Sequence, residues 1–567
     1  MDREELQQTD IWTLFQQGQD YARMIDIFNK TDLNFRMFNG DQNEGLIVEG
    51  IEKLELNYIK PIVRYKVGVV ISNNWAINYS SENFENNEFK ATSENVCKLL
   101  NKKAAKIWER ENIDKRIQKI CKNAAINGEC VVYVEYDKKK ATPRLKILSK
   151  VDVYYGNENN DEIEEQPYIL IKQRVSVIEA RDIAKEYGVS EDKIQCIMGD
   201  NQNQEESGEE AKLEKDEMVT IVTKLYKKDG KVHFAKATRY CDIKKDTDTG
   251  LTYYPVIHLV WEEKEGSARG QGEVEPLIAN QLEVNKTLMR RALVTKLTAY
   301  ATKVVNVDQI ENPEEVNTVG AVIRVNGDSN VQDVNKVFTN ITPAQMSPDV
   351  KLLMNDLINV SRELANASDV ASGSLTNSTL QNASGRAILA VQQAAQQPLK
   401  EQVESVKYFI ECFARILLDH IKTYNSDGLL MEEEVVGQNG ETETQLIPVQ
   451  GSILEKLQAD VKVDVTPKGS FDKFAQEQSL ENLLKAGYFS VQRLPELKMY
   501  LETLDDDSVM PKQRILKVIK KMEEEQQKIA QINAEAELMK QRAMQFINND
   551  PDAQAQQLRE ASMQQSV

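Results

Sequence analysis

Residues 367–400 carry almost no charge and separate two helical patterns, which limits the possible folds more than any other sequence feature. Ser, Thr, Asn and Gly dominate the first half, ASDVASGSLTNSTLQN. Apolar residues at helical spacing precede it from Pro348 to Asn366 and follow it from about Ser384 to Tyr424. The second helix would span roughly 60 Å. Pro398 lies inside it and should kink it, because its ring removes a backbone donor and clashes with the preceding turn.

The composition is that of a folded protein with an acidic balance. The chain of 567 residues is long enough for about two to four domains. It is 41% hydrophobic and 28% charged, as is usual for a folded protein. A formal net charge of −19 argues against a protein that grips DNA tightly, since such proteins present a basic footprint. Six scattered cysteines without a CxxC pair indicate reduced thiols. No signal peptide or membrane-spanning run is recognisable, so we expect assembly in the cytoplasm.

The residue patterns predict an α+β fold that is mainly helical, with an antiparallel sheet region in the middle. Helices are expected in residues 1–125, at 274–297 and in a tail from 472. Asp229-Gly230 predicts a hairpin within 219–238. Further strands are predicted at 127–137, 144–149, 152–156, 167–177 and 460–467. A small β-rich module should occupy 300–345, and the acidic segment 199–217 should be a solvated insertion.

Signatures of catalysis are nearly absent from the sequence. The three histidines show no metal-ligand spacing, and neither a nucleotide-binding P-loop nor a GxSxG motif occurs. His258 lies in an apolar strand and is expected to be a core residue with a satisfied hydrogen bond. The GSARGQG stretch (266–272) lacks the third glycine of a phosphate-binding loop. We therefore predict no catalytic site, no metal and no cofactor.

Two other interpretations of the sequence are a metal-dependent nuclease and a helical scaffolding protein. VEYDKKK (134–140) places carboxylates and lysines at a strand end, as in metal-dependent nucleases, with Asp137 as the candidate ligand. A charged hairpin tip explains the same residues. The long charged helix at 511–546 is also compatible with a helical scaffolding or coiled-coil protein.

A basic cluster on the helix that follows Val274 has two possible roles. It comprises Lys286, Arg290, Arg291 and Lys296, with Lys303 just beyond. A solvated helix face is one interpretation. The other is a contact with DNA phosphates or with an acidic neighbouring subunit.

The order of elements resembles that of portal proteins of tailed bacteriophages, of the long-tailed type, which act as head-to-tail connectors. Locally the resemblance depends on residues 255–287 and 363–417. In the second stretch a helix, a Gly/Ser/Thr/Asn loop, SGRAI and a Gln-rich helix follow one another. It implies a ring, commonly of 12 subunits, at one capsid vertex. Double-stranded DNA would pass non-specifically through its central channel.

The resemblance also implies a domain map. The wing would comprise 1–273 and 385–470, the stem helices 274–295 and 348–367, the clip 296–347, and the crown 471–567. Residues 368–384 would be the tunnel loop that faces the DNA. Its candidate contact residues are Ser372, Gly373, Ser374, Thr376, Asn377, Ser378 and Thr379.

Partners and location follow from the same resemblance. The clip would meet the large terminase subunit during packaging and the head-tail adaptor later. Major capsid and scaffolding proteins would surround the ring, and no membrane contact is expected. The subunit would be assembled in the host bacterial cytoplasm and remain in the virion.

Overall fold

A computed structural model gives the fold of most of the chain. It describes residues 9–43, 53–81, 87–137, 142–200, 217–299, 302–318, 320–326, 337–341, 347–367, 397–425, 429–436, 442–449 and 459–467, with a few isolated positions further on. The chain divides into two compact units, Met1–Thr466 and Pro467–Val567. In the second unit Pro467 ends a strand, and the described positions further on, such as Val518, Ile519 and Met522, are helical.

Helices account for most of the regular structure in the first unit. They are α1 Asp10–Met24, α2 Ile27–Asn39, α3 Ile59–Val70, α4 Asn87–Arg110, α5 Ile113–Asn127, α6 Val177–Glu186, α7 Glu191–Ile194, α8 Ile278–Ala299, α9 Asp349–Leu364 and α10 Lys400–Tyr424. Short 3-10 turns precede α8, at Glu275–Leu277, and α10, at Gln397–Leu399.

The strands form antiparallel sheets of two to five strands. They are β1 Asn73–Ser81, β2 Glu129–Asp137, β3 Thr142–Leu148, β4 Val153–Tyr155, β5 Ile169–Ser176, β6 Met218–Lys228, β7 Lys231–Ala237, β8 Asp242–Asp248, β9 Val256–Val260, β10 Thr302–Val305, β11 Phe338–Ile341, β12 Leu429–Val436, β13 Thr442–Val449 and β14 Ala459–Pro467. Their orders are β4-β5-β6-β7-β8, β3-β2-β9, β1-β14, β10-β11 and β12-β13. The predicted mainly helical α+β class is confirmed.

The main core lies where α3, α4, α5 and α10 meet β1, β2 and β9. From α10 it takes Val406, Phe409, Ile410, Phe413 and Leu417, which recur at helical spacing. Tyr79 of β1 is buried there and donates its hydroxyl to the carbonyl of Ala414 at 2.8 Å. α10 is therefore held inside the first unit along its length.

Several local predictions are confirmed, and two need correction. Residues 73–81, within the region predicted to be helical, form strand β1. The β6–β7 hairpin turns at Asp229 and Gly230, whose φ angles are +53° and +77°. The helical pattern of 91–126 is two helices, because Asn112 adopts a φ of +50° between α4 and α5. Asn tolerates this left-handed conformation better than most residues. α6 and the β12–β13 hairpin were not predicted, although Ser176 caps α6 by accepting from the amide of Glu179.

Gly270 and Gly272 of the GSARGQG stretch pack backbone against backbone with the end of α5. A Cβ on Gly128 would collide with the carbonyl oxygen of Gly270, and one on Gly272 would lie 2.6 Å from the carbonyl oxygen of Ile126. The amide of Trp261 donates to the Gly128 carbonyl at 2.8 Å, and that of Glu273 donates to Ala125 at 2.8 Å. The glycines thus allow two backbone segments to pack closely. This structural role agrees with the rejection of a phosphate-binding loop.

Arg269, within the same stretch, is the centre of a buried ion cluster. Its guanidinium donates to Glu129 at 3.0 Å and to Glu158 at 2.9 Å, and it lies over the ring of Tyr155. His258 bonds Glu129 at 2.7 Å, so its predicted role as a satisfied core residue is confirmed. Burial raises the pKa of Glu129, but Arg269 and His258 outweigh this effect and hold the pKa at about 2.

The close approach predicts the effect of adding one methyl group. Gly128→Ala should lower the free energy of unfolding by roughly 3 kcal/mol or more, because a left-handed φ of +92° and a backbone clash act together. Gly266→Ala is the matched control, since its φ is +68° but no atom lies within 4 Å. It should cost about 1 kcal/mol. If urea denaturation showed equal losses of unfolding free energy for the two variants, the predicted backbone clash at Gly128 would be contradicted.

Candidate functional site

The α8–α9 helix pair is the candidate site, because it carries a small β module (302–341) between its two helices. Asn280, near the start of α8, donates to Ser361, near the end of α9, at 3.0 Å. The helices pack side by side, so this contact makes them antiparallel. The region where they meet, at Asn280 and Ser361, is called the root here.

A buried amide network anchors the root to the segment before α3. Gln281 accepts from the amide of Tyr58 at 3.1 Å and donates to the carbonyl of Leu56 at 2.8 Å. Asn285 accepts from the amide of Leu56 at 3.1 Å and donates to Gln42. Gln281 and Asn285 are almost fully buried. Because unmade hydrogen bonds are costly in the interior, this network determines where α8 leaves the core.

The hydroxyl of Tyr58 connects both helices at the root. It contacts the Ser361 hydroxyl at 3.3 Å and the Leu277 carbonyl at 3.4 Å. Burial raises the pKa of this hydroxyl, and the hydrogen bond with Ser361 opposes the rise. Tyr58 therefore stays a neutral donor and acceptor at physiological pH.

The β module matches the pattern predicted for residues 300–345. β10 and β11 pair antiparallel, from Thr302 opposite Ile341 to Val305 opposite Phe338. Between these strands lies the 3-10 helix Pro313–Asn317. Lys303 donates to the carbonyl of Val316, so it holds the module together.

The surface of this region is unusually apolar. On α9, Leu353, Val360 and Leu364 are exposed and follow one side of the helix; we call them the α9 stripe. The β module exposes four further valines and an isoleucine, Val304, Val307, Val322, Val325 and Ile341. Exposed apolar surface of this kind marks interaction sites in soluble proteins.

The predicted basic cluster lies on α8 and is partly neutralised. Glu283 pairs with Arg290 at 3.1 Å and with Lys286 at 3.8 Å on the exposed helix surface. Arg291 is half-buried and Lys296 is exposed. The four residues share one helix, but Glu283 reduces the positive field of two of them, which weakens a role in holding phosphate.

The tunnel-loop residues Ser372, Gly373, Ser374, Thr376, Asn377, Ser378 and Thr379 lie outside the described residues, and their role stays a prediction. The described residues on either side are informative. Ala365 and Ala367 before the gap, and Leu399 after it, are all buried in the main core. Pro398 lies in the 3-10 turn that leads into α10, and the expected kink also stays a prediction. The described residues that flank the segment 368–396 are thus fixed in the main core on both sides.

The nuclease interpretation gains no support from the described part of the chain. Asp137 ends β2 opposite Thr142, as expected of a hairpin end. Among the residues with assigned positions, no group of three His, Cys, Asp or Glu is arranged to hold a metal. All six cysteines are free thiols. None of the helices in the described ranges is long and apolar enough to cross a membrane.

Comparison with protein families identifies the family of the chain. The sequence model of the family described as phage P22-like portal protein matches residues 15–566. The chain belongs to this family. The predicted resemblance to phage portals is therefore confirmed over nearly the whole chain. No curated protein matches the sequence. The family description leaves tail length open, so the long-tailed type stays a prediction.

Removing the Gln281 amide from this portal subunit tests the root. Gln281→Met keeps the volume but leaves the Tyr58 amide and the Leu56 carbonyl without their partner. We expect a loss of about 2–4 kcal/mol in the free energy of unfolding. The Tyr58 amide should also exchange with deuterium faster. Lys296→Gln, exposed on the same helix, is the control and should change stability by less than about 0.5 kcal/mol. Unchanged exchange at Tyr58 would contradict the anchoring role.

Proposed function

We propose that this portal subunit forms a closed ring at one capsid vertex, through which double-stranded DNA enters and leaves the head. In this proposal α8 and α9 are the stem, the β module is the clip, and residues 368–384 are the tunnel loop. Residues 1–273 and 385–470 form the wing, and residues 471–567 form the crown. The portal family membership and the apolar α9 stripe support it.

The exposed α9 stripe is the observation that most directly supports ring formation. α9 uses one side against α8 and the core, through Met354, Leu357 and Ile358. The stripe is left exposed, although burying a leucine contributes roughly 1.5–3 kcal/mol. In a ring, each stem would cover the stripe of its neighbour. Repetition of one heterologous contact generates a ring when the rotation between neighbours closes.

The composition of the tunnel loop suits a channel that must not retain its cargo. Lysine or arginine side chains would bind phosphates by releasing counterions, and each contact would resist sliding. Ser, Thr and Asn form weaker contacts that exchange with water. The acidic balance of the chain also disfavours adhesion of DNA to the channel wall.

The clip is the proposed docking site for other packaging proteins. Its exposed valines would meet the large terminase subunit during packaging and the head-tail adaptor afterwards. Major capsid and scaffolding proteins would contact the wing in the host cytoplasm. The portal itself needs no catalytic site in this scheme, because the motor supplies the energy.

Charge on the stripe should block ring assembly. Leu353→Glu and Leu364→Glu should leave a folded subunit that fails to form rings in negative-stain images, because burying an unpaired carboxylate is unfavourable. Met24→Glu on α1 is the matched control, since Met24 and Leu364 are each 73% exposed. If both stripe variants form rings of normal number and stability, the α9 stripe does not lie in the interface between subunits.

Positive charge in the tunnel loop should slow translocation. Replacing Ser374, Thr376 and Ser378 with lysine should reduce the packaging rate several-fold while rings still form, because added phosphate contacts increase drag. Replacing the same residues with asparagine keeps them neutral and should leave the rate near that of the unmodified protein. Packaging at an unchanged rate in the lysine variant would contradict the loop's placement.

A further inference from the structure

The α4–α5 hairpin is a basic island in an acidic chain. Residues 98–122 contain nine basic and three acidic residues, whereas the whole chain carries a net charge of −19. On α4 the basic residues recur every fourth position and are exposed. We call this set the basic face: Lys98, Lys102, Lys106 and Arg110. Residues four apart lie next to each other along a helix, so the charges form one row.

The row is unfavourable in the isolated subunit. Like charges at this spacing destabilise a helix by a few tenths of a kcal/mol per pair. Lys98, Lys102 and Arg110 make no ion pair within the part of the chain that the structure describes. Burial and then the charge of Arg110 lower the pKa of the adjacent Lys103 to about 8. A partner of opposite charge would relieve this repulsion.

A cavity with the opposite charge lies elsewhere on the same unit. It encloses about 610 Å³ between α10, the segment before β5, and the turn after β9. Seven carboxylates surround it, against two cations, Lys264 and Arg415. We call it the acidic cleft; its carboxylates are Asp161, Glu162, Glu164, Glu263, Glu265, Glu401 and Glu404.

The lining of the acidic cleft suits lysine side chains in particular. Val256, Val260 and Ile416 supply apolar surface below the carboxylates, and Tyr408 and Tyr253 add exposed aromatic rings. Lysine buries its methylene stem on apolar surface while its ammonium reaches a charged rim. Aromatic faces also attract ammonium groups. A metal ion would fill only a small part of this cavity and would not contact its apolar residues favourably.

The basic face and the acidic cleft lie on different sides of the subunit. Asn101 of α4 accepts from the amide of Tyr79, and the Tyr79 hydroxyl donates to Ala414 of α10. β1 therefore lies between α4 and α10. The cleft residues Tyr408 and Cys412 are roughly 120–160° around the α10 axis from Ala414. Two complementary patches on different sides are what a heterologous, ring-closing contact requires.

We propose that the basic face of one subunit docks in the acidic cleft of the next subunit. This inference depends on the proposed ring and adds an electrostatic contact between wings to the apolar contact between stems. DNA is the competing occupant of the basic face. A second copy is favoured because it explains the acidic cleft as well, and because the acidic chain as a whole repels a polyanion.

Charge reversal on each surface separately, followed by mixing, tests the pairing. One variant carries Lys98→Glu and Lys102→Glu, and the other carries Glu162→Lys and Glu263→Lys. Each alone places like charges across every interface and should raise the protein concentration needed for half-assembly by about tenfold or more. Mixed in equal amounts, the two should assemble again, because alternating subunits make every interface attractive. Sedimentation velocity measures the ring fraction.

Controls separate this inference from the ring itself and from folding. Lys185→Glu on α6 makes the same change of charge at an exposed site, and it should assemble normally. Circular dichroism and thermal melting of each variant check the fold. A chain combining all four reversals should also assemble, since it restores opposite charges at every interface.

The alternative outcomes are equally specific. If both variants assemble like the unmodified protein, the pairing is wrong while the ring stands. Failure of the mixture and of the combined chain to assemble also overturns it. If the α4 variant forms normal rings but loses salt-dependent binding of duplex DNA, the basic face belongs to DNA. An unmodified chain that stays monomeric at all concentrations refutes the proposed function instead.

Discussion

The close approach of two backbone segments, Ala125–Gly128 and Gly270–Glu273, is the contact on which the geometry of the helix pair depends. Glycine removes the Cβ atoms that would separate them, and Glu273 then reaches a buried ion pair with Lys66 at 2.7 Å. The 3-10 turn that begins α8 follows two residues later. The amide network of Gln281 and Asn285 continues the anchorage one turn further on. α8 therefore leaves the core from a position determined by hydrogen bonds, which are more directional than apolar contacts.

Charge is distributed unevenly over the subunit, and this limits where a polyanion can be tolerated. The chain is acidic overall, the basic residues of α8 are partly neutralised by Glu283, and α4 presents a row of four exposed basic residues. A row that is exposed in the monomer attracts either DNA or another protein. Pairing this row with an acidic cleft would leave no exposed basic row on α4 to bind DNA in the assembled particle. The same contact would favour the correct side of the neighbouring subunit during assembly.

Periodicity predicted most elements, because their buried faces are long enough to show in the sequence. The α8 and α9 helices, the Asp229-Gly230 hairpin and the β module were all predicted from local patterns. α6 and the β12–β13 hairpin were missed, although Ser176 followed by Glu179 and the Asn439-Gly440 pair were available signals. The amide network and the Arg269 cluster could not be predicted. Their partners lie more than 100 residues apart in sequence, and polar residues give no periodic signal of burial.

The anchorage of the segment between α9 and α10 bears on how a channel could work. Ala365 and Ala367 on one side and Leu399 on the other are buried in the same core cluster. A force on residues 368–396 would therefore act on the main core from both ends, and α10 would resist it along its buried length. In the proposed channel, neutral side chains would keep that force small as phosphates pass. Under this proposal, the buried flanks would bear the load while the uncharged side chains let DNA slide, because each phosphate contact made by a cation would add drag.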